Sequence, residues 1–208
     1  METINAPFNG RPATENIAAR KFILLGSSTG GVDALIQILR HFDSDCPPTL
    51  IVQHTGSQFA QSLIRLLDGA TRAKVVAAQN GAMLERGMVY LSPSTEQHLC
   101  LADNLPLRIA LSQSPPRTSH RPSVDALFES AVPHAANATA AILTGMGKDG
   151  AQGLLALRQA GAQTVGQNED TSIVYAMPRV AQALGGVAHA LPITEIGPAL
   201  LRAATQRT

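Results

Sequence analysis

The apolar run Phe22-Ile23-Leu24-Leu25 stops at Gly26. Ser27-Ser28-Thr29-Gly30-Gly31 follows it, and then Val32-Asp33-Ala34-Leu35-Ile36-Gln37-Ile38-Leu39. The first piece reads as a short buried strand, and the last carries apolar residues at helical spacing. A chain passing from strand to helix through such small residues bends sharply, which glycine permits without a steric penalty. Gly26-Ser27-Ser28-Thr29-Gly30 also fits the pattern G-x-S-x-G, in the strand–turn–helix setting where that pattern lifts a serine above the carboxyl edge of a sheet. Ser28 is therefore the candidate nucleophile. The competing reading is a phosphate or dinucleotide turn, because such turns also aim backbone N–H groups at anions.

Further residues discriminate between the two. Thr49-Leu50-Ile51-Val52-Gln53 reads as a second buried strand, ending at His54. A dinucleotide fingerprint needs glycine where Ser28 stands, and an acid near the end of the second strand, where Gln53-His54 stand instead. Thr139-Ala140-Ala141-Ile142-Leu143 is a later strand, and the turn after it, Thr144-Gly145-Met146-Gly147-Lys148-Asp149-Gly150, is again rich in glycine. Sites in parallel sheets form outside the carboxyl ends of strands, so Ser28, His54 and Asp149 sit where side chains converge. A serine hydroxyl needs a histidine to take its proton, and that histidine needs a carboxylate to fix its tautomer. By the same logic the Thr29 N–H, next after the nucleophile, is an oxyanion donor. His120 is the second candidate base, on a loop; His41, His98, His134 and His189 have no motif around them and read as solvated or structural. Glu169 and Asp170 read as surface.

The remaining pattern is strands alternating with helices, which argues for a parallel sheet covered on both faces. Helices are predicted from Gly56–Ser57 to Leu67, with Phe59, Leu63, Leu66 and Leu67 on one side, from Ser123 as N-cap, over Ala151–Ala160, over Pro178–Leu184 and from about Ile196 to Ala204. Further strands are predicted at Lys74–Ala77, Gln163–Gly166 and Val187–Ala190. Between them, Met88–Leu91, His98–Leu101 and Leu107–Ala110 read as a local antiparallel insertion. The fold class is thus α/β, a doubly wound and mostly parallel sheet with a small antiparallel insertion. Residues 1–20 show no period and read as a flexible leader, leaving one domain over 21–208.

Composition removes several functions. The 208 residues carry a formal net charge of +1 and only 3% aromatics, with no basic stripe, so nucleic acid is not expected as a partner. No apolar run approaches the roughly 20 residues of a membrane span, and Met1–Arg20 lacks a secretory core, so the expected place is the cytoplasm. Cys46 and Cys100 are far apart and form no C-x-x-C pair, so neither a disulfide framework nor a zinc site is expected.

Five segments in order then match a known family: Gly26-Ser27-Ser28-Thr29-Gly30-Gly31, Val52-Gln53-His54, His120-Arg121-Pro122-Ser123-Val124-Asp125, Leu143–Gly150 and Thr171-Ser172-Ile173-Val174-Tyr175-Ala176-Met177-Pro178. Together they resemble the catalytic domain of the CheB-type chemotaxis methylesterases, from about Lys21 to Leu201. The resemblance implies a Ser28–His54–Asp149 triad, an oxyanion donor at the Met146 N–H, and no metal or cofactor. It implies hydrolysis of glutamyl γ-methyl esters on the cytoplasmic helices of chemoreceptors, with glutamine deamidation as a related activity. Family members usually carry a receiver domain ahead of this one. A leader of about 20 residues is too short for that, so the expectation is a free-standing esterase, always exposed or regulated in trans, for instance by a separate response regulator, or a fragment. A catalytically silent binding module, and an esterase or amidase for another modified protein, are the other two readings.

Overall fold

The computed structural model describes residues 21–93 and 96–205. The leader expected over residues 1–20 lies outside them. The described chain builds β1 (Phe22–Ser27), α1 (Gly31–Leu39), β2 (Thr49–Gln53), α2 (Ala60–Asp68), β3 (Lys74–Ala77) and β4 (Met88–Leu91). It continues through β5 (His98–Leu101), β6 (Ile109–Ser112), α3 (Val124–Ser130), β7 (Ala138–Ile142) and α4 (Ala151–Gln159). β8 (Gln163–Gln167), α5 (Ala176–Ala183), β9 (His189–Leu191) and α6 (Ile193–Thr205) complete it.

β1 is buried along its whole length and feeds two cores at once. Phe22 and Leu24 enter one core with Leu50, Val52 and Phe128, while Ile23 and Leu25 enter the other with Ile51, Leu35 and Leu200. That alternation is what a strand covered on both faces requires, and it explains the unbroken apolar run. α1, α2 and α6 contribute to the second core, and α3, α4 and α5 to the first. The seven strands of the main sheet run in the order β3-β4-β2-β1-β7-β8-β9, all pairs parallel. β5 and β6 form a separate antiparallel pair. The doubly wound α/β fold expected from the sequence is the fold observed.

Two local expectations are corrected. Met88–Leu91 does not belong to the antiparallel insertion; it lies between β3 and β2 in the parallel sheet. Val89 and Leu91 face one core and Tyr90 the other, so this run is buried on both sides. A four-residue apolar run has too little period to separate a central strand from a hairpin strand. In α2, Leu63 and Leu67 are buried as expected, but Phe59 is 55% and Leu66 50% exposed. Ser57–Phe59 is a 3-10 turn, so its phase does not continue into the α-helix, and Ala60, Leu63, Ile64 and Leu67 form the buried stripe.

The order of the strands places the site. β2, β1 and β7 are neighbours, and Ser27 pairs with Gln53 while Gly26 pairs with Ile142. The turns after these three strands therefore emerge side by side. The phase of α2 has a measurable consequence. Leu67→Ala should lower unfolding free energy by about 2–5 kcal/mol in urea titrations, whereas Leu66→Ala should stay within about 0.5 kcal/mol of the parent.

Candidate active site

The serine turn is held by backbone contacts to the turn after β7. The Ser28 N–H donates to the Thr144 carbonyl at 3.1 Å, and the Gly31 N–H donates back to the Ser28 carbonyl at 2.8 Å. Gly30, at φ +80, caps α1 in the left-handed region, with the Ile173 side chain directly over its Cα. Gly145 permits the close approach of the two turns: a Cβ there would run into Met177 Sδ and lie 2.7 Å from Ser28 Cβ. The Thr144 hydroxyl adds a tie, donating to the Thr29 carbonyl at 2.9 Å and accepting from the Val174 N–H at 2.9 Å.

Gln53 ties the serine turn to the histidine. Its buried amide accepts from the Ser27 hydroxyl at 2.6 Å, and its Nε2 donates to the carbonyls of both Ser28 and His54 at 2.9 Å each. His54 also donates its backbone N–H to the Ser27 carbonyl at 3.0 Å. The histidine side chain is 10% exposed, and its Nε2 lies 2.8 Å from Asp149 Oδ2. Its Nδ1 is buried and makes no hydrogen bond, to Ser28 or to any other described residue.

Asp149 is fully buried and surrounded by donors. Besides His54, its oxygens accept from the Ser123 hydroxyl at 2.7 Å, the Thr118 hydroxyl at 2.8 Å, the Val124 N–H at 2.7 Å and the Asp125 N–H at 3.2 Å. Burial by itself pushes the carboxyl up, but the bonds from His54, Ser123, Val124 and Thr118 outweigh it and hold Asp149 well below the usual carboxylate range. An ionised carboxylate can only accept, so His54 Nε2 carries a proton, and in the neutral ring Nδ1 then presents its lone pair. The neighbouring Asp125 shifts the other way, raised by its own burial and then by the charge of Asp149, although the Gly153 N–H donates to it at 2.8 Å.

Thr118 arrives on a tight turn. Arg117 and His120 exchange both backbone hydrogen bonds, and Thr118 and Ser119 between them adopt φ of 46 and 65. Left-handed backbone at two consecutive residues that are not glycine costs about 1–2 kcal/mol each. The turn places two groups: the Thr118 hydroxyl on Asp149, and the His120 ring flat against His54, with centroids 4.0 Å apart and planes 6° from parallel. His120 Nδ1 donates to the Thr118 carbonyl at 2.7 Å. Arg117 anchors the turn to α3 through an ion pair with Glu129.

Each site residue expected from the sequence lies at this edge, with distinct contacts. His54 and Asp149 are bonded directly, and Ser28 stands on the adjoining strand end. Among the described residues the N–H groups of Thr29 and Met146 donate to no acceptor, which leaves both available to a ligand, and both residues are exposed. His120, the second candidate base, is a stacking partner of His54. His98 is buried, while His41 and His189 are exposed. Sequence reasoning did not find Thr118 or the clamping role of Gln53; both lie in or beside motif segments, but their contacts are set by the tertiary fold.

Among the described residues, His54, His120 and Asp149 are the group that could hold a metal ion, with ligand atoms within 4.8 Å of one another. Stacked rings confine their in-plane lone pairs to two nearly parallel planes rather than aiming them at a common point, and His54 Nε2 is already committed to Asp149. The arrangement suits proton transfer better than metal ligation. A cavity of about 390 Å³, lined among others by Val76, Met88, Tyr90 and Arg108, lies at the β3–β4 edge and includes none of these residues.

Fold and site together define the α/β proteins that carry a serine, a histidine and a carboxylate on neighbouring strand ends of a parallel sheet. Within that class the chain belongs to the CheB methylesterase family, whose model matches residues 23–200. It is 47% identical, over 99% of its length, to 59% of a protein from Agrobacterium fabrum named protein-glutamate methylesterase/protein-glutamine glutaminase. A protein of the same name from Gluconobacter oxydans is 48% identical over 88% of this chain and 54% of its own length. The chain thus spans somewhat more than half the length of these curated relatives. The crystal structure of the Thermotoga maritima CheB methylesterase catalytic domain superposes with a TM-score of 0.84 at 29% identity, covering 88% of this chain and 98% of that one. Among the described residues no helix is long and apolar enough to cross a membrane.

The charge on Asp149 makes stability depend on pH with a definite sign. A carboxyl whose folded value lies below its unfolded value of about 3.8 stabilises the fold at higher pH, and that contribution is lost as pH falls through the folded value. Asp149→Asn should therefore cost about 1–3 kcal/mol at neutral pH, by leaving buried donors unpaired. It should also flatten the decline in unfolding free energy below about pH 4, measured by urea titration across the acid range.

Proposed function

We propose that the chain is a serine esterase that hydrolyses glutamate γ-methyl esters on chemoreceptor cytoplasmic helices, releasing methanol, and that Ser28, His54 and Asp149 carry the reaction. One observation supports this above the rest: His54 Nε2 lies 2.8 Å from the buried Asp149 carboxyl, while its Nδ1 is buried and bonded to nothing among the described residues. In the reaction, Ser28 Oγ attacks the ester carbonyl while His54 Nδ1 takes the hydroxyl proton. The resulting oxyanion accepts from the Thr29 and Met146 N–H groups, at the positive end of α1. Collapse breaks the carbonyl–methoxy bond, and His54 returns the proton to departing methanol. Water then attacks the glutamyl–Ser28 ester, His54 takes one of its protons, and the Ser28 oxygen leaves with that proton to give the free glutamate.

Asp149 fixes the tautomer and balances the imidazolium that forms twice in each cycle. With a glutamine side chain in place of the methyl ester the same steps release ammonia, which is the glutaminase reaction that the relatives' names carry. Residence in the cytoplasm belongs to the same reading.

The test is methanol release from methylated chemoreceptor membranes. The parent should release methanol, while Ser28→Ala and His54→Ala should each lose on the order of 10,000-fold or more in rate. If the parent releases none, a serine-reactive fluorophosphonate separates the alternatives: labelling of Ser28 means a working triad with another substrate, and no labelling means a silent binding module. Gly145→Ala should also lower turnover, because its Cβ would press on Ser28. A 1 Å displacement of a reacting group costs about 100-fold.

A further inference from the structure

Four of the five donors to Asp149 (Thr118, Ser123, Val124 and Asp125) and the ring stacked on His54 come from residues 118–125. Together with residues 115–117 before it, this segment is a strap across the carboxyl edge of the sheet, and its tip holds two residues in left-handed backbone. Strained backbone persists only where surrounding contacts over-determine it. The strap is closed at its base by one side chain from β5. His98 is fully buried, its Nδ1 lies 3.1 Å from the Ser123 nitrogen, and its Nε2 lies 3.1 Å from the Pro115 carbonyl. The ring thus bonds both ends of the strap, before Thr118 and after His120.

The partners fix its chemistry. A carbonyl can only accept, so Nε2 carries the proton; a backbone N–H can only donate, so Nδ1 is bare. Either a second proton or the other tautomer would set two donors face to face at Ser123. Ser123 in turn has two duties. Its backbone is held by His98, and its hydroxyl donates to Asp149 while accepting from the Ala126 N–H at 3.2 Å as the N-cap of α3. The contact sequence His98, Ser123, Asp149, His54 is continuous, with heavy-atom distances between 2.7 and 3.1 Å.

We propose that His98 is a positioning residue. As a neutral Nε2–H imidazole it closes the 115–123 strap, and through Ser123 it sets the Asp149–His54 pair and the stack of His120 on His54. The proposal rests on the reading of Ser28, His54 and Asp149 given above, and its first readout is independent of turnover. In protein labelled with 15N-histidine, His98 should be the Nε2–H tautomer, and the His54 Nε2 proton, bonded to Asp149, should give a resolved low-field signal. His98→Phe keeps the ring volume but removes both bonds; His98→Asn keeps an oxygen where Nδ1 accepts from Ser123.

The expected result is that the His54 signal is lost or displaced in His98→Phe and retained in His98→Asn. With methyl ester substrate, kcat should fall by about 100-fold in His98→Phe, with KM within about twofold, and His98→Asn should recover most of the loss. Three outcomes would overturn the proposal. One is a charged or Nδ1–H His98 in the folded parent, which is read without any variant and so does not depend on whether His98→Phe folds. Another is a folded His98→Phe that keeps both the His54 signal and kcat. The third is equal loss in both variants tracking an equal drop in thermal stability, which would mark His98 as structural only. Absence of turnover in the parent, with the His54 signal following His98 as described, would instead sink the esterase reading and leave the positioning role standing.

Discussion

A carboxylate with no exposure to water is unfavourable unless donors replace its hydration, and Asp149 is such a group. Much of the carboxyl edge of the sheet is explained by satisfying it. α3 begins where its first two N–H groups reach the carboxylate, and its N-cap serine supplies a hydroxyl. The strap before α3 accepts a strained turn in order to deliver Thr118. Only the remaining donor, His54 Nε2, belongs to the proposed chemistry. The same bonds that make the buried charge tolerable also hold it ionised, which keeps the histidine in a single tautomer. Stability and the proposed activity are therefore coupled through one group.

The histidine is constrained from three directions. Asp149 fixes one ring nitrogen, the Gln53 amide fixes the backbone carbonyl, and the His120 ring covers one face. What is left is Nδ1, facing neither water nor a partner. A ring held in this way suits the proposed role of base, since a catalytic group works best when it needs no rearrangement as charge develops.

The sheet, its mostly parallel character and the positions of Ser28, His54 and Asp149 were legible because each follows from a local signal. An apolar run marks a strand, and a polar residue just past its end marks the carboxyl edge. The N-cap role of Ser123 was legible for the same reason, and its hydroxyl does accept from Ala126. The place of β4 was not, since Met88–Leu91 carries too few residues for its period to report two buried faces. Nor were the exposed Phe59 and Leu66, where a 3-10 turn breaks the helical phase. The strap was legible only as a polar loop. Its purpose depends on a carboxylate far along the chain and on a histidine of the small antiparallel pair, and nothing in the local pattern announces either contact.

The Gln53 amide carries one more implication. A single nitrogen holds the carbonyls of both Ser28 and His54. If the end of β1 shifts, the end of β2 is drawn with it, so displacements of the two turns are correlated. The proposed nucleophile and the proposed base are thereby tied through one amide, and a motion that parts their strand ends has to break one of its two bonds.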